Sequence, residues 1–423
     1  MNTAQAITQA VASAVLSQDG AALAAALSAI DVGNAALLAQ LPQRQALEQL
    51  CGTALEEPYD EMLLERFLSL AAVGKGDFSE ACTHLERACS SFQSAFEKDT
   101  AWSMPGLHVL DLALRLAGKQ ADEHLKAKGE KMGKLQEAAG VLQKSFRIVV
   151  NDRAPIEQSK KWGGLHVINN LFKIYFRLNN LRLCQNLIRA VEGPGFPKAL
   201  DGQVLSGRHF PMAQLVTYHY FVGRLSLLNS QFARAERQLT FAFDHCPTTS
   251  FKNKRLILRY LVPVRLVLGV FASPALLTKY QLPYFAQLCR AVHRGDLRTF
   301  ERELDTHQQL FIRHGSYLLV ERAKTIAYRN FFRRVHALHP AGTTKLDINM
   351  FRRCLNATGA LLIQRHICRT ACCRLVHSTS AVAHSLALWL WLSHISVCHL
   401  HIHPDLYRLA SEWLPRRCYH GCR

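Results

Sequence analysis

The sequence predicts an all-α fold, a degenerate TPR-like helical-repeat solenoid, from three observations. A helix, a short turn and a second helix with small residues at the crossing recur three times. No strand-like alternation occurs before about residue 340. Of the 423 residues, 49% are apolar and 20% charged, enough apolar material for two or three packing units.

Residues 1–50 are rich in Ala, Leu and Gln, which predicts short packed helices joined at Gly20, Gly33 and Pro42. The first clear repeat begins at Asp60. Leu63, Leu64, Phe67, Leu68 and Ala71 lie three and four apart and share one helix face. Gly74-Lys75-Gly76-Asp77 ends that helix, and Phe78, Ala81, Cys82, Leu85 and Ala88 open the next. The second repeat runs from Tyr218 through Asn229-Ser230-Gln231 to Phe232, Ala235, Leu239, Ala242 and Phe243. The third runs from Phe285 through Arg294-Gly295-Asp296 to Leu297, Phe300 and Leu304. The spacing between them is irregular, so the array is not a clean repeat of about 34 residues. Residues 119–134 are charged and poor in large apolar side chains, as a solvated helix or a loop would be. Glu192-Gly193-Pro194-Gly195-Phe196-Pro197 interrupts any helix and supplies the best internal boundary.

The net charge of +19 makes polyanions the leading partner class, nucleic acid or an acidic protein. Lys252, Lys254, Arg255 and Arg259 flank one helical run. Arg329, Arg333 and Arg334 alternate with Tyr328, Phe331 and Phe332 on another. Such helices can bury their aromatics and present cations to phosphates, a salt-sensitive and sequence-blind contact. The competing reading is that these arginines only solvate the back of a buried helix. Enzyme chemistry has no constellation behind it: Gly163-Gly164 lacks the strand and Lys-Ser/Thr of a phosphate loop and reads as a helix start backed by Leu165, Ile168, Leu171, Phe172 and Tyr175. His166, His219 and His245 stand alone, without a catalytic or ligand partner at a useful spacing. No cofactor, small-molecule substrate or metal is expected.

The thirteen cysteines are an odd number, and those before residue 300 are scattered singly within helical patterns, which indicates reduced thiols of the cytosol or nucleus. Met1 to Val15 carries no Lys or Arg and so lacks the basic start of a secretory signal. No basic cluster is compact enough to stand as a nuclear localisation signal.

Ala291-Val292-His293-Arg294-Gly295-Asp296-Leu297-Arg298-Thr299-Phe300 resembles the signature of PCI domains, which join a helical-repeat array to a winged helix. It leads into Phe311-Ile312, Gly315-Ser316-Tyr317 and a helix from Leu318 to Val335. Lys161-Trp162-Gly163-Gly164-Leu165, Asn169 to Arg177 and Asn229 to Glu236 are similar to the PCI-domain-containing protein two family. That family is the animal counterpart of the yeast messenger-RNA export PCI subunit and includes the twelfth signalosome-like subunit. The resemblance covers about residues 10–353. It implies a non-enzymatic scaffold in the nucleus, with a cytoplasmic pool, within a transcription-and-export complex. There it would bind a large scaffold protein through stacked winged helices, a small acidic peptide protein, and RNA. Lys345 joins the seven basic residues above as a candidate phosphate contact. A regulatory scaffold of signalosome or proteasome-lid type, never touching nucleic acid, is the alternative.

Thr344-Lys345-Leu346-Asp347-Ile348 looks like the first strand of the winged helix, and Met350-Phe351 like its second helix. The likeness stops after Arg353. Residues 354–423 hold seven of the thirteen cysteines and eight of the twenty histidines, but only two acids, Asp405 and Glu412. So abrupt a shift inside a domain is what an alternative exon or a shifted frame gives. Cys368, Cys372, Cys373, His399, His401, His403, Cys418 and Cys422 do not fall into a zinc-module spacing. His384 and His394 break the apolar run Val382 to Leu400, so no membrane span is expected. The expected plan is helical repeats over 1–200, the helical part of a PCI domain over 201–315, an incomplete winged helix over 316–353, and a divergent tail over 354–423. A chain without the recognition helix and wing is expected to dock its partners and RNA more weakly.

Overall fold

The computed structural model describes residues 3–31, 34–340 and 347–357. The Cys/His-rich tail from residue 358 and the candidate Lys345 lie outside the described residues. The described chain is helical, with a lone antiparallel bridge between Leu205 and Arg208. It separates into two compact units, Met1–Leu225 with Asp244–Cys246, and Ser226–Phe243 with the chain from Pro247 on.

The first unit contains α1 (Thr3–Leu16), α2 (Gly20–Ser28), α3 (Ala35–Ala39), α4 (Arg44–Ala54), α5 (Tyr59–Gly74) and α6 (Phe78–Lys98). It continues with α7 (Met104–Ala127), α8 (Lys134–Val150), α9 (Gly164–Arg177), α10 (Leu181–Glu192) and most of α11 (Met212–Leu228). The first repeat is α5–α6. Gly76 takes a positive φ of 79° in the turn, and the Asp77 carboxylate accepts from the Glu80 N–H to cap α6. Beyond the face shared by Leu63 and Phe67, Met62, Leu70 and Ala72 of α5 are buried as well. Helices α3, α4 and α6 all pack against it, so α5 is enclosed on more than one side.

Residues 119–134 are neither one helix nor one loop. Helix α7 runs to Ala127 and α8 starts at Lys134, and the buried Asp122 carboxylate accepts from the N–H groups of Gly133, Lys134 and Leu135. A residue that looks solvated in the sequence therefore caps the next helix. The glycine pair at 163–164 does begin a helix, behind a 3-10 turn at Lys160–Gly163. A Cβ on Gly163 would come within 2.3 Å of the Met104 Sδ, so a larger residue here would have to displace the Met104 side chain. The interruption at Glu192 is present, but it lies within this unit, which extends past the expected boundary at residue 200. Phe196 and Phe210, both buried, stack with ring centroids 5.8 Å apart and fold the long connection back as part of the core.

The second unit begins in the last turn of α11 and carries α12 (Phe232–His245), α13 (Phe251–Val267), α14 (Pro274–Lys279), α15 (Tyr284–Arg294) and α16 (Leu297–Thr306). Helices α17 (Gln308–His314), α18 (Tyr317–Arg322), α19 (Lys324–Ala337) and α20 (Ile348–Ala357) complete it. Its core includes the fully buried Phe285, Phe300 and Phe311. The run read as one helix from Leu318 to Val335 is two, α18 and α19, parted at Ala323. Ile348, expected in a strand, opens α20, whereas Met350 and Phe351 are helical as expected.

The PCI-like signature forms the α15–turn–α16 corner. Gly295 ends α15 in the left-handed region with φ 65°, and the Asp296 carboxylate accepts from the Thr299 N–H to cap α16. Helix α19 crosses directly over this turn: a Cβ on Gly295 would lie 2.4 Å from the Phe331 backbone nitrogen. Asn330 adds a hydrogen bond from its Nδ2 to the Val292 carbonyl at 2.8 Å. Glycine is required here for conformation and for space, and the signature positions α19.

Candidate nucleic-acid interface

The positive charge is concentrated in one stretch. Residues 247–357 contain nineteen Lys and Arg against six Asp and Glu, an excess of thirteen in a chain of net charge +19. Residues 1–246 contain twenty-five against twenty-four and are nearly neutral. A summed field of this kind draws anions to the second unit and not to the first.

Within that unit the basic candidates divide into three kinds. Lys252 is exposed at the start of α13. Arg255 and Arg259, one turn apart on the same helix, are half-buried. Lys254 corrects the expectation of a phosphate contact. It is only 6% exposed, its Nζ donates to the Phe243 carbonyl at 2.8 Å, and the ammonium sits 4.4 Å from the centre of the Phe243 ring. That carbonyl lies in the last turn of α12, where the helix leaves acceptors unsatisfied and a cation complements the dipole. Lys254 is a helix cap.

On α19, Tyr328 and Phe331 are buried while Arg329, Arg333 and Arg334 are exposed, the arrangement expected from the alternating pattern. Phe332 meets Phe351 edge-on at 5.2 Å, which seats α20 against α19. Arg352 and Arg353 on α20 are exposed too, a basic pair that the sequence reading missed. The adjacent arginines were the available signal, but they fall where the family likeness ends. No ion pair among the described residues involves Lys252, Arg255, Arg259, Arg333 or Arg334; Glu301 pairs with Lys324 at 2.6 Å and Glu236 with Arg265 at 3.0 Å.

The two basic clusters do not merge. Arg329 reaches Gly269, just beyond the C-terminal end of α13, whereas Lys252 lies at its N-terminal end. At 1.5 Å per residue, these ends are about 25 Å apart. The unit therefore offers two separate cationic ends, spaced to follow an extended polyanion.

Several groups with strongly shifted protonation lie in the first unit, packed between helices. Burial pushes the Asp111 carboxyl up to about 8, partly offset by the Ser145 hydroxyl that donates to it at 3.0 Å. Burial lowers His108 to about 4 and, with the charges of His108, Lys173 and Arg115, lowers His166 to about 3; the two rings stack at 4.1 Å. Among the described residues no cluster could hold a metal ion, and no helix is long and apolar enough to cross a membrane. Six of the seven described cysteines are buried, and all seven are free thiols.

The fold and this surface define a class: an all-helical repeat protein of the PCI type, built for assembly. No family model matches the chain. A Xenopus laevis protein named PCI domain-containing protein 2 is 40% identical over 305 residues, 71% of this chain and 74% of its own length. A Drosophila melanogaster homologue of that name is 35% identical over 350 residues, 81% of this chain and 84% of its own. A Neurospora crassa protein named Protein CSN12 homolog is 35% identical over 256 residues, 56% and 55% of the two chains. The chain belongs to the PCI domain-containing protein 2 family.

Proposed function

We propose that this chain is a non-enzymatic scaffold subunit of a nuclear transcription-and-export complex, with a cytoplasmic pool. In this reading it supports messenger-RNA export by holding a large scaffold protein, a small acidic protein and RNA. The observation that carries it is the concentration of positive charge in residues 247–357, nineteen basic against six acidic side chains. Phosphate contacts by Lys252 at one end, and by Arg329, Arg333, Arg334, Arg352 and Arg353 at the other, would neutralise backbone charge without reading bases. The same field suits an acidic peptide.

The Neurospora relative's name favours a second reading, a regulatory scaffold of the signalosome type without nucleic-acid contact. Co-purification separates the two. Affinity capture of the full chain from a nuclear fraction is expected to bring down one large scaffold protein, a small acidic protein and polyadenylated RNA. Recovery of signalosome or proteasome-lid subunits without RNA would contradict the export reading.

A further inference from the structure

A hydrogen-bonded chain ties three helices of the first unit together. Gln93 of α6 uses both amide hydrogens on α8: its Nε2 donates to the Val141 carbonyl at 3.0 Å and to the Ser145 Oγ at 2.8 Å. A carbonyl only accepts, which fixes the orientation of that amide. The Ser145 hydroxyl donates in turn to the Asp111 Oδ1 on α7, at 3.0 Å. Gln93, Ser145 and Asp111 are all fully buried. The chain ends at Asp111, whose Oδ2 is buried without a hydrogen-bond partner.

No ion pair among the described residues involves Asp111, and the elements packed on α7 supply no cation to it. Helix α2 has no ionisable side chain. From α6 the Cys89 thiol faces Asp111, and burial holds that thiol in its neutral form. Arg66 of α5, which acts on Cys89, donates to the Ile30 carbonyl. On α8, Lys134 pairs with Glu137 at 2.6 Å, and Lys144 and Arg147 are exposed. On α9, His166 stacks on His108, Lys173 is exposed, and Arg177 pairs with Glu123 at 2.7 Å. Lys160 donates to the Phe96 carbonyl at 2.7 Å. Arg115, one turn along α7 itself, gives its Nε to the Asn170 Oδ1 at 2.8 Å. An ionised Asp111 would hold its charge on one hydrogen bond, out of water and without a counter-ion, a far costlier state than the neutral acid. Burial accordingly moves this carboxyl from an ordinary 3.8 to about 8.

We propose that Asp111 is a proton-controlled latch on the seam between α7 and its neighbours α6 and α8. As the carboxylic acid it lets the three helices close around the buried chain. When its proton passes to solvent base, the carboxylate left behind needs hydration, and α7 has to part from α6 and α8 to admit water. Helix α7 also packs on α2 and α9, so its loosening reaches most of the first unit. Between about pH 4 and about pH 8 the folded unit holds one proton more than the unfolded chain. Rising pH therefore lowers stability across that window, and acid restores it. The latch depends on no partner and is independent of RNA binding.

Hydrogen exchange of the full chain, read by mass spectrometry beside Asp111→Asn at each pH, tests the latch. Comparing the two chains at one pH cancels the intrinsic pH dependence of exchange. For α7 and α8 peptides, the ratio of the unsubstituted rate to the Asp111→Asn rate should be at least tenfold larger at about pH 8 than at about pH 6. Peptides of α15 and α16 in the second unit should show a constant ratio. A constant ratio in α7 and α8 would overturn the latch, and an equal rise in α15 and α16 would overturn its assignment to this seam. Asp111→Ser, which removes the carboxyl and keeps a hydroxyl, gives the same comparison should Asp111→Asn not fold. Infrared spectroscopy of the unsubstituted chain needs no variant. A carboxylic-acid carbonyl band should persist at about pH 6.5, where ordinary carboxylates are ionised, and be lost by about pH 9.5. Its absence at the lower pH would equally overturn the proposal.

Discussion

Lys252 and Lys254 are two residues apart and indistinguishable by composition, yet the structure gives them opposite roles. Lys252 is exposed, while Lys254 is buried against the end of α12. Lys254→Met, which keeps the aliphatic stem, should lower stability by about 1–3 kcal/mol in chemical denaturation and leave RNA affinity unchanged. Lys252→Met should leave stability unchanged, weaken RNA binding and reduce its salt slope by about one. A reversed pattern would show that burial misassigns the two. Gly295 was legible as a turn from its neighbours Arg294 and Asp296, but not as the point where another helix crosses. That fact depends on a contact with Phe331, thirty-six positions away in the chain, which local periodicity cannot carry.

Among elements, α19 carries most of the functional argument. Its pattern of Tyr328, Phe331 and Phe332 against Arg329, Arg333 and Arg334 was readable because a helix with one face on a core must sort apolar from charged residues every three to four positions. The structure agrees at each described position, with Phe332 only partly covered by Phe351. Arg333→Glu with Arg334→Glu should reduce affinity for single-stranded RNA by more than tenfold and flatten its salt dependence, since each lost phosphate contact removes about 0.7 from the slope. Both side chains are exposed, so the thermal midpoint should hold. Unchanged RNA affinity would remove α19 from the interface. The charged stretch before α8 misled for the opposite reason. Asp122 is one of three acids among five lysines in residues 119–134, and only its three backbone donors show that it is a buried cap.

For the whole molecule, the repeats, their short polar turns and the PCI-like corner could be read in the sequence, because local periodicity and turn chemistry encode them. Two features could not. The first unit extends beyond the Gly-Pro interruption because Phe196 and Phe210 stack, a packing fact invisible to a rule about helix breakers. The separation of the basic clusters to opposite ends of α13 follows from where α19 lies, which no single helix records.

The central claim is that a nearly neutral helical-repeat unit is joined to a basic PCI unit that contacts RNA. Ultraviolet cross-linking of the full chain to single-stranded RNA, with the adducts mapped by mass spectrometry, tests it most directly. The adducts are expected within residues 247–357, concentrated on peptides containing Lys252 and Arg329 to Arg334. Adducts confined to residues 1–246, or none at low salt, would contradict it.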